Sequence, residues 1–419
     1  MKRLTLLFVV LLARPIHGQA TGAPISLEEL EQMALRSNPT VAAAEAGVDA
    51  ARGRTKQAGA WPNPIVGYTG QEITTGNVDP RGEHGFFVEQ TIPLGSKLKL
   101  SRDVFQRGVD HAEAGRDLQR LRVLSSVRQA FYAVLLTERR IEVQERLSAL
   151  AAEAVGVTAQ LFNVGAADRP DYLEIEVESR RAQLQLNRSR NDLRALRAQL
   201  AALTGVRDVA DRPIASTIDT AVPELKRDEI VKTLLEQSPE LRAARVQLER
   251  ARAVTVRARR ETSPDVFLRG GANYNREVGD NSGRPIGWEG SIEAGVSLPV
   301  FNRNAGGVAA ARAEETTAQA EIARVELSLQ SHAEAAFASY QTARTSADAY
   351  RSDILPRAEE AHRLYLARYR EMAVAYPQVL VAQRTLFEIS NQYLESLDEA
   401  WRAALRLQGF LAGDGLDRP

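Results

Sequence analysis

Apolar and polar side chains follow two different periods along this chain. Over most of its length the apolar residues recur every three or four positions, the period of an amphipathic helix. Leu124, Val127, Phe131 and Val134 form such a seam within a proline-free segment from Lys97 to Leu161. At 1.5 Å per residue, this segment predicts a helix about 100 Å long. Alternating steps of three and four residues predict that it packs against other helices, as in a coiled coil.

Four short segments interrupt the helical pattern, at about residues 63–72, 85–92, 265–275 and 287–298. In the last segment, apolar residues such as Trp288 and Ile292 alternate with the polar residues Glu289, Ser291 and Glu293. Alternation with a period of two predicts a strand with one apolar and one polar face. The connections "ITTGNVDPRGEH" and "REVGDNSGRP" are rich in Gly, Asp, Asn and Pro, as hairpin loops are.

The chain contains two copies of one unit. Three residues of the first copy recur in the second at a constant offset: Pro39, Pro64 and Gly70 match Pro239, Pro264 and Gly270. The stretch "VEQTIPLG" at 88–95 matches "GVSLPVFN" at 295–302, and a proline, Pro93 or Pro299, follows each strand pair. Each copy has the order helix, two strands, long helix, helix. A period this long indicates a duplicated domain.

These features predict five segments in the chain. Residues 1–20 are a signal peptide, 21–210 the first structural repeat, 211–225 a linker, 226–413 the second repeat, and 414–419 a C-terminal tail. The first helix opens with "SLEEL", where Ser26 can cap and Glu28 and Glu29 suit the positive end of the helix dipole. In the second repeat, Pro356 should break or kink the long helix.

The N-terminus and the composition indicate an exported protein. Lys2 and Arg3 precede an apolar run at 4–13 and the small residues Gly18 and Ala20, a pattern typical of a secretory signal peptide. The run is shorter than a membrane-spanning helix, which needs about 20 residues. The chain has no cysteine, which excludes thiolate metal sites and cysteine nucleophiles. Its 54 basic and 54 acidic residues balance, which argues against a nucleic-acid partner.

The four amphipathic strands have two possible settings. They could cover a hydrophobic core as a small ordinary sheet. Alternatively, about ten alternating residues can cross an outer membrane as a tilted strand, provided that the barrel is closed. Four strands cannot close a barrel. Two copies would give eight strands with a filled interior, and three copies would give twelve around a water-filled lumen.

The second setting predicts a homotrimer in outer-membrane lipid, with Glu289, Ser291 and Glu293 in the lumen of the barrel. The fold expected from it is mainly α-helical with a small membrane β-barrel. A duplicated helix-strand-strand-helix-helix unit forms a trimeric twelve-stranded barrel and a long α-helical tunnel.

This set of motifs resembles the TolC family of outer-membrane efflux proteins over nearly the whole mature chain. The resemblance includes the duplication, the "NP" or "SP" before the first strand of each copy, and the "QTIPLG" and "SLPVFN" exits. It also includes "FNVGAADRPDYLEIE" at 162–176. The stretches "WPNP" and "VEQTIPLGSKLKLSRD" are most similar to the cobalt-zinc-cadmium efflux components. Many relatives carry an acylated N-terminal cysteine, which this chain lacks.

The resemblance implies a passive exit channel of a tripartite efflux system, located in the cell outer membrane with a periplasmic helical portion. It implies divalent heavy-metal cations as cargo, a periplasmic adaptor (a membrane fusion protein) and an inner-membrane transporter of the RND type as partners, and no cofactor. The same channel could instead serve drug efflux or type I secretion. A periplasmic helical adaptor or scaffold is the alternative of another class.

The resemblance also assigns roles to the turns between the long helices. Val164, Gly165 and Ala166 would contact the adaptor, and Glu371, Met372 and Ala373 are the counterparts in the second copy. The second turn lacks the glycine, which weakens the correspondence there. Gly165 can also be read as an ordinary helix C-terminal glycine, and both interpretations can hold together.

Two acids follow the first turn. Asp171 and Glu174 fall where the family has acidic residues near the constriction, and three copies of each would form a cation-attracting ring. Alternatively, Asp168 and Asp171 resemble a capping box around Pro170. The matching positions of the second copy are Gln378 and Val381, so a ring would come from the first copy alone.

The sequence contains no recognisable catalytic constellation, and an enzyme is not expected. "LGSKLKL" lacks the first glycine and the spacing of a phosphate-binding loop. The five histidines are scattered without the spacing of zinc ligands, so no metal site is expected.

Overall fold

A computed structural model describes residues 23–73, 82–216, 222–278, 284–411 and 416. The expected signal peptide, most of the tail and much of both expected hairpin loops lie outside these residues. The helices are α1 (Leu27–Ser37), α2 (Pro39–Ala58), α3 (Lys97–Asn163), α4 (Arg169–Thr204), α5 (Arg227–Gln237), α6 (Pro239–Arg260), α7 (Ala305–Ala349), α8 (Leu355–Arg370) and α9 (Tyr376–Gln408). The strands are β1 (Ile65–Gln71), β2 (Glu83–Pro93), β3 (Asp265–Val278) and β4 (Pro285–Ser297).

The protein is mostly helical with one small sheet, as the pattern of periods predicts. The same order of elements occurs twice: two helices, two strands and then long helices. The single helix expected before each strand pair is divided in two, because Pro39 and Pro239 disfavour a helical backbone at the residue before them and begin a new helix. The proline-free segment forms the single helix α3 of 67 residues. In the second half, a π-helical segment at Tyr350–Ile354 separates α7 from α8, and Pro356 is the second residue of α8. Because proline has no N–H and its ring crowds the preceding turn, the regular hydrogen-bond ladder is interrupted here.

The first helix begins with the cap that its sequence predicts. The backbone N–H of Glu29 donates to Ser26 Oγ at 3.2 Å, and the N–H of Ser26 donates to Glu29 Oε2 at 3.1 Å. This reciprocal pair is a capping box, which satisfies two N–H groups that the helix leaves free.

The sheet is antiparallel throughout, with its strands in the order β1-β2-β3-β4. Ile65 pairs with Glu89 in the first ladder, and Pro93 pairs with Asp265 in the second. In the third ladder, Asp265 pairs with Ser297. The sheet therefore joins the two strand pairs through β2 and β3.

The described residues form two compact units. The first contains residues 23–38, 123–216, 222–223 and 339–405, and its core is built from leucines and aromatic residues. One cluster of this core packs Leu161 and Ile175 against Tyr369, Tyr376 and Val379. This cluster lies beside the two helix turns, one between α3 and α4 and the other between α8 and α9.

The second unit contains the sheet and residues 39–122, 224–338 and 406–416 as far as they are described. Its helices pack through small clusters rich in alanine and valine. Val48, Ala51 and Val109 form one such cluster, and Leu248 packs with Ala318 in another. Small side chains allow the backbones of neighbouring helices to approach closely.

Candidate functional site

The turn between α3 and α4 carries three of the predicted docking residues. Gly165 has a left-handed backbone with φ +73°. Its N–H donates to the carbonyl of Phe162 at 3.1 Å, and the N–H of Ala166 donates to the carbonyl of Leu161 at 2.8 Å. This pair of bonds is a Schellman motif. Val164, Gly165 and Ala166 are all exposed, and Val164 exposes 70% of its surface.

The turn between α8 and α9 has the same geometry without a glycine. Met372 adopts a left-handed φ of +56°. Its N–H donates to the carbonyl of Tyr369 at 2.9 Å, and the N–H of Ala373 donates to the carbonyl of Arg368 at 2.9 Å. Glu371, Met372 and Ala373 are exposed. The missing glycine therefore does not remove the second turn, although it weakened the correspondence at the level of sequence.

The acids that follow the first turn do not form the capping box. Asp168 is the N-cap residue of α4, but its side chain makes no cap hydrogen bond. The capping-box prediction is wrong. The extended backbone of Asp168 suits an N-cap residue, but its carboxylate accepts no hydrogen bond from the N–H groups at the start of α4. Asp171 remains in the first turn, where the helix dipole favours negative charge.

Asp171 and Glu174 each raise the pKa of a tyrosine beside the turn between α8 and α9. Burial raises the pKa of the Tyr369 hydroxyl, and the charge of Asp171 raises it further. Burial likewise raises the pKa of the Tyr376 hydroxyl, and Glu174 is the strongest of the nearby charges that add to this shift. Asp171 is half-buried and Glu174 is exposed. Ile175, the residue after Glu174, packs against Tyr369 and Tyr376, so this part of α4 lies close to the turn between α8 and α9.

A third acid on α4, Glu178, was not predicted from the sequence as a functional residue. Only 8% of the side chain of Glu178 is exposed, and its carboxylate lies 2.7 Å from Arg384 of α9 and 3.2 Å from Arg181. Its position continues the buried stripe of α4 that includes Ile175 and Ala182. In the sequence, the position of Glu178 among the apolar residues of this stripe indicates a buried ion pair.

The sheet has two different faces, which the ladders define because directly paired residues point to the same side. We call one the apolar face; its residues include Val66, Tyr68, Phe86, Val88, Tyr274, Trp288, Ile292 and Val296. We call the other the polar face; its residues include Glu83, Glu89, Asp265, Arg269, Asn275, Glu289, Ser291 and Glu293.

The polar face is organised by one arginine and one asparagine of β3. Arg269 lies 3.3 Å from Glu89 and 3.6 Å from Glu293, and its guanidinium stacks 3.9 Å from the ring centre of Phe87. The predicted lumen residue Glu293 is therefore partly neutralised.

Nearer the loops, Asn275 Nδ2 donates to Glu83 at 2.9 Å and to Glu289 at 3.4 Å. The predicted residue Ser291 lies opposite Gly271. The structure thus brings Glu289, Ser291 and Glu293 onto one acidic surface.

The apolar face lies open in the single chain. Ile292 exposes 88% of its surface and Trp288 exposes 68%. Phe86 and Tyr274 both contact the ring of Trp288 edge-on, and Tyr68 hydrogen-bonds His84 beside them. The aromatic side chains therefore collect at the end of the sheet that carries the hairpin loops.

Two absences complete the picture of these sites. Across the described ranges, the helices contain no apolar stretch long enough to cross a membrane. Nor do three His, Cys, Asp or Glu side chains in those ranges lie close enough together to hold a metal ion.

Comparison with known proteins identifies the family. The family described as outer membrane efflux protein matches residues 30–206 and 230–413. The cobalt-zinc-cadmium resistance protein CzcC of Cupriavidus metallidurans is 26% identical over 400 residues, covering 95% of this chain and 92% of that protein. The nickel-cobalt-cadmium resistance protein NccC of Alcaligenes xylosoxydans is 26% identical over 318 residues, covering 74% of this chain and 68% of that protein.

The fold has close counterparts among solved structures. A structure of CusC, from a study of its folding and transmembrane channel formation, superimposes with a TM-score of 0.78 at 17% identity. The superposition covers 92% of both chains. These matches confirm the resemblance to the TolC family and to its heavy-metal branch. The chain belongs to the TolC family of outer membrane efflux proteins, and it is an outer-membrane channel protein with a periplasmic helical portion.

Proposed function

We propose that three copies of this chain form the passive exit channel of a tripartite efflux system for divalent heavy-metal cations. A periplasmic adaptor and an inner-membrane transporter of the RND type complete the system. The transporter supplies the energy, and this chain contributes the conduit.

The observation that carries this proposal is the sheet with two unlike faces. Its apolar face is exposed, and among the described residues no other element covers it. In water such a surface would be costly, at about 25 cal/mol for each Å² left exposed. In a barrel that crosses the outer membrane, lipid covers the apolar face and the polar face lines the lumen. Four strands from each of three copies give the twelve that such a lumen needs.

The charge of the polar face suits cationic cargo. The polar face carries five carboxylates, those of Glu83, Glu89, Asp265, Glu289 and Glu293. Two cations pair with them: Arg269 lies beside Glu89 and Glu293, and Lys97 lies 2.9 Å from Asp265. Three copies multiply this imbalance around one lumen, and a ring of negative charge attracts cations. Asp171 and Glu174 repeat the same sign at the helix turns. The exit path therefore carries excess negative charge at both places.

The two helix turns suit the adaptor. Val164, Gly165 and Ala166 form one exposed turn, and Glu371, Met372 and Ala373 form the other. Because both turns share one geometry, three copies would offer six similar docking points.

The names of the two relatives favour heavy metals as cargo, since both are metal resistance proteins aligned over most of this chain. The test is a deletion strain complemented with this chain. We expect the deletion to lower tolerance to cobalt, zinc or cadmium and to raise their cellular content, and the wild-type chain to restore both. A strain that keeps its metal tolerance but becomes sensitive to organic drugs would contradict the metal assignment and favour drug efflux.

A further inference from the structure

The sheet ends in two edges without a strand partner among the described residues. One is the outer edge of β1 and the other is the outer edge of β4. Because neighbouring strands alternate in direction, β4 runs opposite to β1, and the two edges can pair as an antiparallel ladder between copies. In lipid, an unpaired edge would leave N–H and C=O groups without hydrogen bonds. Each edge therefore needs the other one from a second copy.

The chain already contains a junction of the same kind. The ladder between β2 and β3 joins the strand pair of the first half to that of the second. In this junction Pro93, which ends β2, lies opposite Asp265, which directly follows Pro264. The two prolines thus sit at the end of the ladder, where the missing N–H interrupts no pairing.

The same proline positions recur at the open edges. Pro64 directly precedes Ile65, the first residue of β1, and Pro299 lies two residues after Ser297, the last residue of β4. We propose that β4 of one copy pairs with β1 of the next copy in the register of the internal junction, with Pro299 opposite Ile65. Ser297 then lies opposite Gly67, and Glu293 lies opposite Gln71. This register rests on the proposed trimeric channel and specifies how its barrel closes.

The register keeps both faces of the sheet continuous across the boundary between copies. On the apolar face it sets Val296 beside Tyr68 and Leu298 beside Val66, and all four side chains are exposed in the single chain. A slip of one residue would turn Tyr68 into the lumen. A slip of two residues in one direction would place Pro299 opposite Gly67, inside β1, where its missing N–H would interrupt the ladder.

Disulfide cross-linking tests the register directly, because the chain has no cysteine of its own. Residues directly opposite in an antiparallel pair have Cα atoms about 4.5–5.5 Å apart, within the range that a disulfide bridges. Diagonal neighbours are about 7–8 Å apart, beyond that range. Within one chain β1 and β4 lie three strand spacings, or about 14 Å, apart, so only neighbouring copies can link Gln71 to Glu293.

The variant to test is Gln71→Cys with Glu293→Cys, oxidised in outer membranes and run on a non-reducing gel. We expect dimer and trimer bands from this pair. The matched controls are Gln71→Cys with Ser291→Cys, and Thr69→Cys with Ser297→Cys, which represent a slip of two residues in either direction. We expect these to link about tenfold more slowly, because their Cα atoms are diagonal neighbours. Gly67 and Gly295 are left unchanged, since a Cβ there would collide with the rings of Phe87 and Phe267.

A second pair guards against a variant that does not assemble. Tyr68→Cys with Val296→Cys tests the same register from the apolar face, and we expect it to link as well. Faster linking of either control pair would overturn the register, as would the absence of linking in both test pairs. If the unlinked protein still leaves the membrane as a trimer, only the register fails. If it is a monomer, the proposed channel fails too.

Discussion

Gly165 and Met372 occupy the same position in the two helix turns. Both have left-handed backbones, with φ of +73° and +56°, and the N–H of each donates to a carbonyl three residues earlier. The residue after each donates to the carbonyl five residues before it, so both helices end in the same motif. Glycine, at Gly165, adopts this backbone without strain, whereas Met372 adopts it with strain because its side chain has a Cβ. We infer that the geometry of the second turn is needed where it lies.

This difference predicts unequal effects of substitution. Gly165→Ala should destabilise the protein by about 1 kcal/mol, because a residue with a Cβ resists the left-handed region. Steric contact adds nothing, since a Cβ at Gly165 has no atom within 4 Å. Met372→Gly should change stability little, because relief of strain is offset by the conformational entropy of glycine. The melting temperature in detergent measures both, with the neighbouring Val164→Ala as control. A more stable Gly165→Ala variant would show that strain is not the governing effect.

The acids of the first turn should set ion selectivity. Neutralising both, as Asp171→Asn with Glu174→Gln, removes six negative charges from a trimer and should lower the preference for cations over anions. Reversal potentials across a planar bilayer under a salt gradient give this preference. Asp192→Asn is the control, since Asp192 is an exposed acid farther along α4. Unchanged selectivity in the double variant would rule out the ring, leaving Asp171 to its role near the helix dipole.

The buried carboxylate of Glu178 should matter more for stability than its exposed neighbours. Glu178→Gln leaves Arg384 and Arg181 without this acid, and we expect a loss of about 1–2 kcal/mol, since the half-exposed guanidinium of Arg384 can still be hydrated. The matched control is Glu176→Gln, whose contact with Arg180 is 3.9 Å and exposed, and which should cost almost nothing. Chemical denaturation in detergent compares the two. Equal losses of unfolding free energy in the two variants would show that the burial of Glu178 does not strengthen the contribution of its ion pair to stability.

His362 should make the first unit sensitive to mild acid. It is buried, and burial lowers the pKa of its imidazole below the usual 6.5. The folded protein then binds fewer protons at this site than the unfolded chain, so stability is full above pH 6.5 and falls as the pH drops toward the lowered pKa. A cavity of about 490 Å³ lies beside this ring; its lining includes the charged residues Arg139, Arg146, Glu153, Glu359, Arg363 and Arg370.

The measurement is the melting temperature between pH 7.5 and pH 5. We expect His362→Gln to reduce the acid-induced fall, while His332→Gln, at an exposed helix position, leaves it unchanged. His111 adds a contribution of the same sign, since desolvation of its ring and the charge of Arg250 lower its pKa as well. An unaltered profile in His362→Gln would contradict this origin of the acid sensitivity.

The exposed turns should be needed for docking but not for the channel itself. Val164→Asp with Met372→Asp should abolish co-purification with the adaptor, because a charge then replaces the large exposed apolar side chain of each turn. Conductance in a planar bilayer should persist. Leu184→Asp, an exposed apolar position farther along α4, is the control. Normal co-purification of the double variant would remove the turns from the interface.

The elements with a strong period were predictable from the sequence, and the long-range contacts were not. The alternation around Trp288 and Ile292 predicts β4 and its two faces, and "SLEEL" predicts the capping box of α1. The turn at Met372 was obscured because methionine carries no signal for a left-handed backbone. The partner of Glu178 could not be predicted, because Arg384 lies 206 residues away in the sequence and only folding brings the two charges together. The carboxylate orientation of Asp168 likewise depends on the folded turn.

The native mass of the protein extracted from outer membranes shows whether the chains assemble. Two β-hairpins per chain leave two open strand edges, so identical chains must share one barrel. We predict release only by detergent and a mass of three copies. A single copy released into salt buffer without detergent would contradict the account.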